Sequence, residues 1–213
     1  VAGRSHRDTA RSLRLSEQGL DDVAIEQYLD DYGLRLRQPW RRADDPVMAA
    51  WIDLNERPLK LVHQAAFKND YYSPLTWDKE SPAGEHELLL SILNYQPETM
   101  GFISRTLRGR AMMRLGEGDE DGAWSDLLAC RRLGRLATRG PTVFDSMAGH
   151  RIDADTYSAM LTLLKTSESD TETLEDYLRA LSQLPPSTPI IEILSHTERC
   201  HFLDAACSIA SGK

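Results

Sequence analysis

The chain has no apolar run near the roughly 20 residues that span a bilayer, and no basic-then-apolar leader precedes its first polar stretch. No membrane contact is expected of this segment. It also lacks a basic excess: 25 Lys and Arg against 33 Asp and Glu give a net charge of -8, which argues against general nucleic-acid affinity. Cysteine is scarce. Cys130, Cys200 and Cys207 are odd in number and lack CxxC spacing, so neither a disulfide framework nor a zinc ribbon is indicated. There is no GxSxG. The HEL at His86 and Glu87 is not HExxH, because Leu90 stands where the second histidine is needed. Strand-like alternation is nowhere sustained.

The 213 residues are 41% hydrophobic and 27% charged, enough for one sizeable core or a continuous row of smaller ones. A single domain over 1–213 is expected, with residues 1–12 poorly ordered. The chain begins VAGRSHRD without a methionine and stops at ASGK just after an apolar helical pattern, which suggests a fragment of a longer protein. Signals for a compartment can then lie outside it.

Prolines punctuate the sequence. Pro46, Pro58, Pro82 and Pro141 each read as a helix start, because the missing N–H of proline would be unpaired in a first turn anyway. Between them apolar residues recur at steps of three and four, as in Val23, Tyr28 and Leu29 before a stop at Gly33, or Met48, Ile52 and Leu54 before Pro58. The pattern predicts helices near 17–33, 46–56, 58–68, 84–95, 98–115, 120–138, 142–165, 171–183 and 189–210. The fold class is all-α.

The clearest local signal is RLGEGDEDGAWSDLLACRRLGRL, from Arg114 to Leu136. Read as a calcium loop from Asp119, it puts glycine fourth, Trp124 sixth and Cys130 twelfth, which fails the ligand spacing. Read as a phosphate loop, its four acids would repel the anion. As a helical turn it makes sense: Gly116 or Gly118 supplies a left-handed residue, Asp119 caps the next helix, and Glu120 and Asp121 suit its first turn. Ala123, Leu127, Cys130, Gly134 and Ala137 then form a seam of mostly small residues, matched by Met100, Ile103, Leu107 and Ala111 on the preceding helix. Two short-linked helices with facing seams should pack antiparallel.

This hairpin resembles the tetratricopeptide repeat, with Ala111, Gly118, Ala123 and Cys130 on small-residue positions and Leu107 and Leu127 on large apolar ones. Leu107 replaces the usual aromatic, Arg110 and Arg114 occupy apolar positions, and no second copy follows at a 34-residue period. The resemblance implies antiparallel hairpins stacked as a short right-handed superhelix or an irregular bundle. A wider resemblance rests on WIDLNERPLKLVHQAA, NDYYSPL, RAMMRLGEGDEDGAWSDLLACRRLGRL and LPPSTPIIEILSHTERCHFLDAA. Together these look like an uncharacterised family of mostly planctomycete helical proteins. That likeness implies a longer bacterial protein, often with an N-terminal membrane anchor or export signal, and brings no activity.

Two features are candidates for binding. Arg131, Arg135 and Arg139 are spaced four apart, and Arg105, Arg108, Arg110 and Arg114 line the partner helix, giving eight arginines against five acids from Ile103 to Gly140. Arginine forks suit carboxylate or phosphate, so Arg110, Arg114, Arg131 and Arg135 are candidate contacts to an acidic ligand. Pairing with Asp145, Asp153 or Asp155 is the alternative. The segment Asn69 to Gly84 lacks a helical period and carries Tyr71, Tyr72 and Trp77, which can shape a cleft or pack onto the helices. Metal ligation by His196 and Cys200, one helical turn apart, lacks an obvious third ligand. No cofactor is indicated.

The sequence therefore reads as a non-enzymatic helical scaffold for a protein or peptide. The alternative is a hydrolase-like or metal-dependent enzyme using His63, His86, His150 or the His196 and Cys200 pair, and a third reading is a purely structural domain of a larger protein.

Overall fold

The computed structural model describes residues 32–75 and 96–211, with the Gln96 side chain excepted. Every regular element among them is helical. The predicted helix at 84–95, most of that at 17–33, Trp77 and residues 1–12 lie outside the described residues.

Helix α1, Pro46–Leu54, starts as its proline suggests, with the Asp45 carboxylate accepting from the Met48 N–H at 2.9 Å. Helix α2, Glu56–Ala66, begins two residues ahead of Pro58, which therefore sits third in the helix. There it still costs no hydrogen bond, because the N–H groups of the first turn have no partner within the helix. The long helices are α3 (Gln96–Gly116), α4 (Glu120–Ala137) and α5 (Val143–Thr166). Pro141 precedes α5 instead of opening it, since Thr142 and Asp145 form a reciprocal capping box one residue later. Helix α6 is Thr171–Ser182. The last helical stretch runs as α7 (Ile190–Ile193), a π-helical turn at Leu194–Glu198, and α8 (Arg199–Ala210). Residues 32–35 are also helical, so Gly33 lies within a helix and does not end it.

The α3–α4 turn has the form the sequence predicts. Gly118 carries the left-handed residue, at φ 84°, and the Asp119 carboxylate accepts from the Gly122 N–H at 2.9 Å. Both seams are inward: Leu107, Ala111, Ala123, Leu127 and Cys130 are fully buried. Full burial of a leucine contributes about 1.5–3 kcal/mol, so Leu107 and Leu127 anchor the hairpin.

Helix α5 completes the central layer by packing on both α3 and α4, with Ile152, Ala159, Met160 and Leu163 turned inward. Its approach to α4 is set by glycine. A Cβ on Gly149 would stand 2.6 Å from the Gly134 carbonyl oxygen, so the two backbones touch there without intervening side chains. Helix α1 packs on α3 and α2 on α4, while α6 is fastened to α4 by Tyr177 stacked on Trp124, with ring centroids 3.8 Å apart. Among the described residues, no helix is long and apolar enough to cross a membrane.

Candidate functional site

The arginines come first, because their partners decide what the central helices can offer a ligand. Arg110 makes a two-pronged ion pair with Asp126, at 2.8 and 2.6 Å, and Arg114 adds a third contact to the same carboxylate at 2.9 Å. Asp126 is completely buried on α4. Further along α4, Arg131 and Arg135 both reach Asp153 of α5, at 2.9 and 3.2 Å. Arg108 pairs with Asp155 at 3.3 Å, and burial holds its guanidinium below the usual range. Arg110, Arg114, Arg131 and Arg135 are thus committed to carboxylates of the neighbouring helices. Of the three acids named from the sequence, Asp153 and Asp155 serve this purpose, and Asp145 caps α5.

The aromatic segment divides. Tyr71 packs against the core, and burial raises the pKa of its phenol, whereas Tyr72 is 86% exposed. The described histidines stay apart as well, and His86 lies outside the described residues. His63 Nε2 lies 2.9 Å from the Ser125 hydroxyl, His150 is exposed, and His196 Nδ1 bonds the Glu192 carbonyl within its own helix. Among the described residues, no three His, Cys, Asp or Glu side chains converge closely enough to hold a metal ion. Cys130 is buried, and desolvation pushes its thiol up to about 12. Such a thiol is a poor nucleophile.

A cleft of about 400 Å³ lies elsewhere, where the start of α4 meets the loop entering α6. One wall is Gly118, Asp119, Glu120 and Asp121, and the other is Glu168, Ser169, Asp170, Thr173 and Tyr177. Each wall is built by a helix start. Asp119 caps α4, Asp170 caps α6 by accepting from the Thr173 N–H at 2.9 Å, and this bond lowers the Asp170 pKa. The Ser169 hydroxyl donates across the cleft to Glu120 at 3.3 Å.

The charge here is one-sided. Asp119 has Arg114 at 3.5 Å, but among the described residues no Lys or Arg pairs with Glu120, Asp121, Glu168 or Asp170. Tyr177 lines the cleft from α6. Its ring is held by Trp124, and burial together with the Asp121 and Glu120 carboxylates pushes its phenol pKa up.

The sequence places GDED and SESD about 50 residues apart, each just ahead of an apolar helical period. Nothing local joins them. The length of α5, which returns the chain from the far end of α4 to its start, brings them together.

An all-α protein with an acidic surface cleft is what the described residues define. No family model matches the chain, and neither does any curated protein or solved structure.

Proposed function

We propose that the protein is a non-enzymatic helical scaffold, built of antiparallel hairpins in tetratricopeptide-like fashion, that engages a protein or peptide partner through the cleft between α4 and α6. The observation that carries this reading is the cleft itself. It is an open depression between the starts of two helices held in place by the core, and four of its carboxylates have no cationic partner among the described residues. Like charges gathered without compensation repel one another, and a partner that relieves the repulsion gains affinity from it. Arg110, Arg114, Arg131 and Arg135 already face Asp126 and Asp153, so the cleft carboxylates are the less compensated charges. In this reading the segment belongs to a longer bacterial protein that is anchored or exported by parts of the chain outside it.

The test is position-specific photocrosslinking in the source cell. A photoreactive amino acid at Thr173 is expected to give a discrete adduct with one protein, while the same group at Lys60 on α2 gives none. Absence of an adduct from Thr173, or the same adduct from both positions, contradicts the proposal.

One contact favours a second reading as a hydrolase-like enzyme: the 2.9 Å approach of His63 Nε2 to Ser125 Oγ. In that geometry the imidazole can take the hydroxyl proton. Covalent labelling of Ser125 by a fluorophosphonate, abolished in His63→Ala, is the expected result for an enzyme. An unlabelled Ser125 removes this reading.

A further inference from the structure

Helix α5 buries one face against α3 and α4, and its outward face carries Phe144, Met147, Tyr157, Leu161 and Leu164, each between 37% and 67% exposed. None of them lines the cleft. We infer that a second copy of the chain docks on this face, with the two α5 helices crossing antiparallel about a two-fold axis at Ala154.

The order of the side chains points to a second copy. Met147, Ala154 and Leu161 recur every seven residues, with Tyr157 and Leu164 three places after the last two, which is the period that keeps a continuous seam facing another helix. The seam is also symmetric in position about Ala154. Phe144 and Met147 lie ten and seven residues before it, and Leu161 and Leu164 lie seven and ten after it. Two antiparallel copies crossing there set Phe144 against Leu164 and Met147 against Leu161, each contact made twice, as a two-fold interface requires. Ala154 is exposed and small, so the backbones can approach closely at the crossing point.

Charge agrees with that alignment. Arg151 is exposed and has no ion pair among the described residues, and it lies three places before Ala154 while Tyr157 lies three after. The same crossing brings each free guanidinium beside the Tyr157 ring of the other copy, a cation–π contact made twice. Arg131 of its own chain stands 5.9 Å from that ring's centre and braces it. Area is sufficient as well. Large apolar side chains cover about 150–250 Å² each, so the exposed parts of these five leave roughly 500 Å² per copy. A pair then buries about 1,000 Å², the size at which a specific interface holds. A membrane surface also takes an apolar helix face, but it gains nothing from symmetry about one small residue.

The test is sedimentation equilibrium of the 213-residue chain. The mass should rise from 24.0 kDa towards twice that value as the concentration approaches about 100 μM. Met147→Glu/Leu161→Glu changes two exposed positions, sets like charges against each other at their mutual contacts, and should weaken dimerisation about a hundredfold. Met147→Lys/Leu161→Lys should also be monomeric alone, and mixing the two variants should restore a dimer with one copy of each. A misfolded variant would not recover in this way. In a Cys200→Ser/Cys207→Ser background, Ala154→Cys should crosslink to itself through a short bismaleimide, and Lys60→Cys on α2 should not. Five results overturn the inference: a monomer at every concentration up to about 1 mM, a dimer unchanged in Met147→Glu/Leu161→Glu, failure of the oppositely charged variants to pair, equal crosslinking at Ala154→Cys and Lys60→Cys, or flotation with anionic phospholipid vesicles that Met147→Glu/Leu161→Glu abolishes. The last result would give the face to a membrane.

Discussion

Arg110 of α3 and Asp126 of α4 meet as a two-pronged ion pair inside the molecule, and Arg114 completes a triad on the same carboxylate. In a tetratricopeptide-like hairpin the Arg110 and Arg114 positions are expected to be apolar. Here the hairpin closes over a charged pair instead. Removing one member leaves the other buried and uncompensated, which costs far more than an exposed pair would contribute. Asp126→Ala should therefore lower unfolding stability by about 3–5 kcal/mol in a urea titration. The double change Arg110→Met with Asp126→Leu should recover most of that loss, because well-packed apolar pairs replace buried ion pairs at little cost.

The α4–α5 crossing depends on the absence of side chains. A Cβ on Gly149 would meet the Gly134 carbonyl oxygen at 2.6 Å and the Thr138 backbone nitrogen at 2.8 Å, neither of which can swing aside. Gly149→Ala should cost about 1–3 kcal/mol as the helices move apart. Thermal unfolding checks it, with Ala148→Gly as a comparison on the same helix.

The C-terminal stretch is tied to the body by a carboxylate. Glu198, the last residue of the π turn, accepts from the Val143 N–H at 2.9 Å, satisfying an orphan donor at the start of α5, and His201 stands 3.6 Å from its other oxygen. Beyond it, Phe202, Leu203 and Ile209 are exposed on α8. Loss of a hydrogen bond to a charged group costs about 1.5–3 kcal/mol. Glu198→Ala should thus speed amide exchange at Val143 and through residues 194–210, and leave the α3–α4 amides unchanged.

The thiols separate by burial. Cys200 and Cys207 are exposed and should react with a disulfide reagent in the folded protein, whereas Cys130 should react only on unfolding. The same burial sets a pH dependence. The Cys130 thiol is raised from 9.0 to about 12 in the fold, so above about pH 9 the unfolded chain loses this proton while the folded one keeps it. The stability associated with Cys130 is complete below about pH 9 and falls as pH rises towards about 12. A Cys130→Ala variant should show a shallower decline over that window in urea titrations.

Much of the helical framework was legible because its signals are local. Asp45 before Pro46, Asp119 before a small-residue seam and Asp170 before an amphipathic run each cap a helix within a residue or two of the expected start. Pro58 and Pro141 misplace starts because proline is tolerated through the first turn and just ahead of it. A capping residue, Thr142 in the second case, sets the boundary. The two-faced nature of α4 was hidden too. Its small residues suggest one close neighbour, but Gly134 receives α5 while Ala123 and Leu127 lie within the core shared with α3.

The candidate site was half legible. GEGDEDG is a helix stop, a cap and an acidic first turn, as its spacing implies, and is also one wall of a cleft. Its second wall comes from Glu168 to Tyr177, and only the return path of α5 brings the two together. The arginine spacing was conspicuous in the sequence, yet spacing alone does not reveal that Asp126 and Asp153 lie opposite.

The central claim is that the cleft, and not the arginine-bearing surface of α4, meets the partner. The most direct measurement compares the Thr173 photocrosslink in two variants of matched folded content, Glu120→Gln/Asp121→Asn and Arg131→Gln/Arg135→Gln. The account predicts that the adduct is lost in the first and kept in the second. An adduct kept in the first and lost in the second would contradict it.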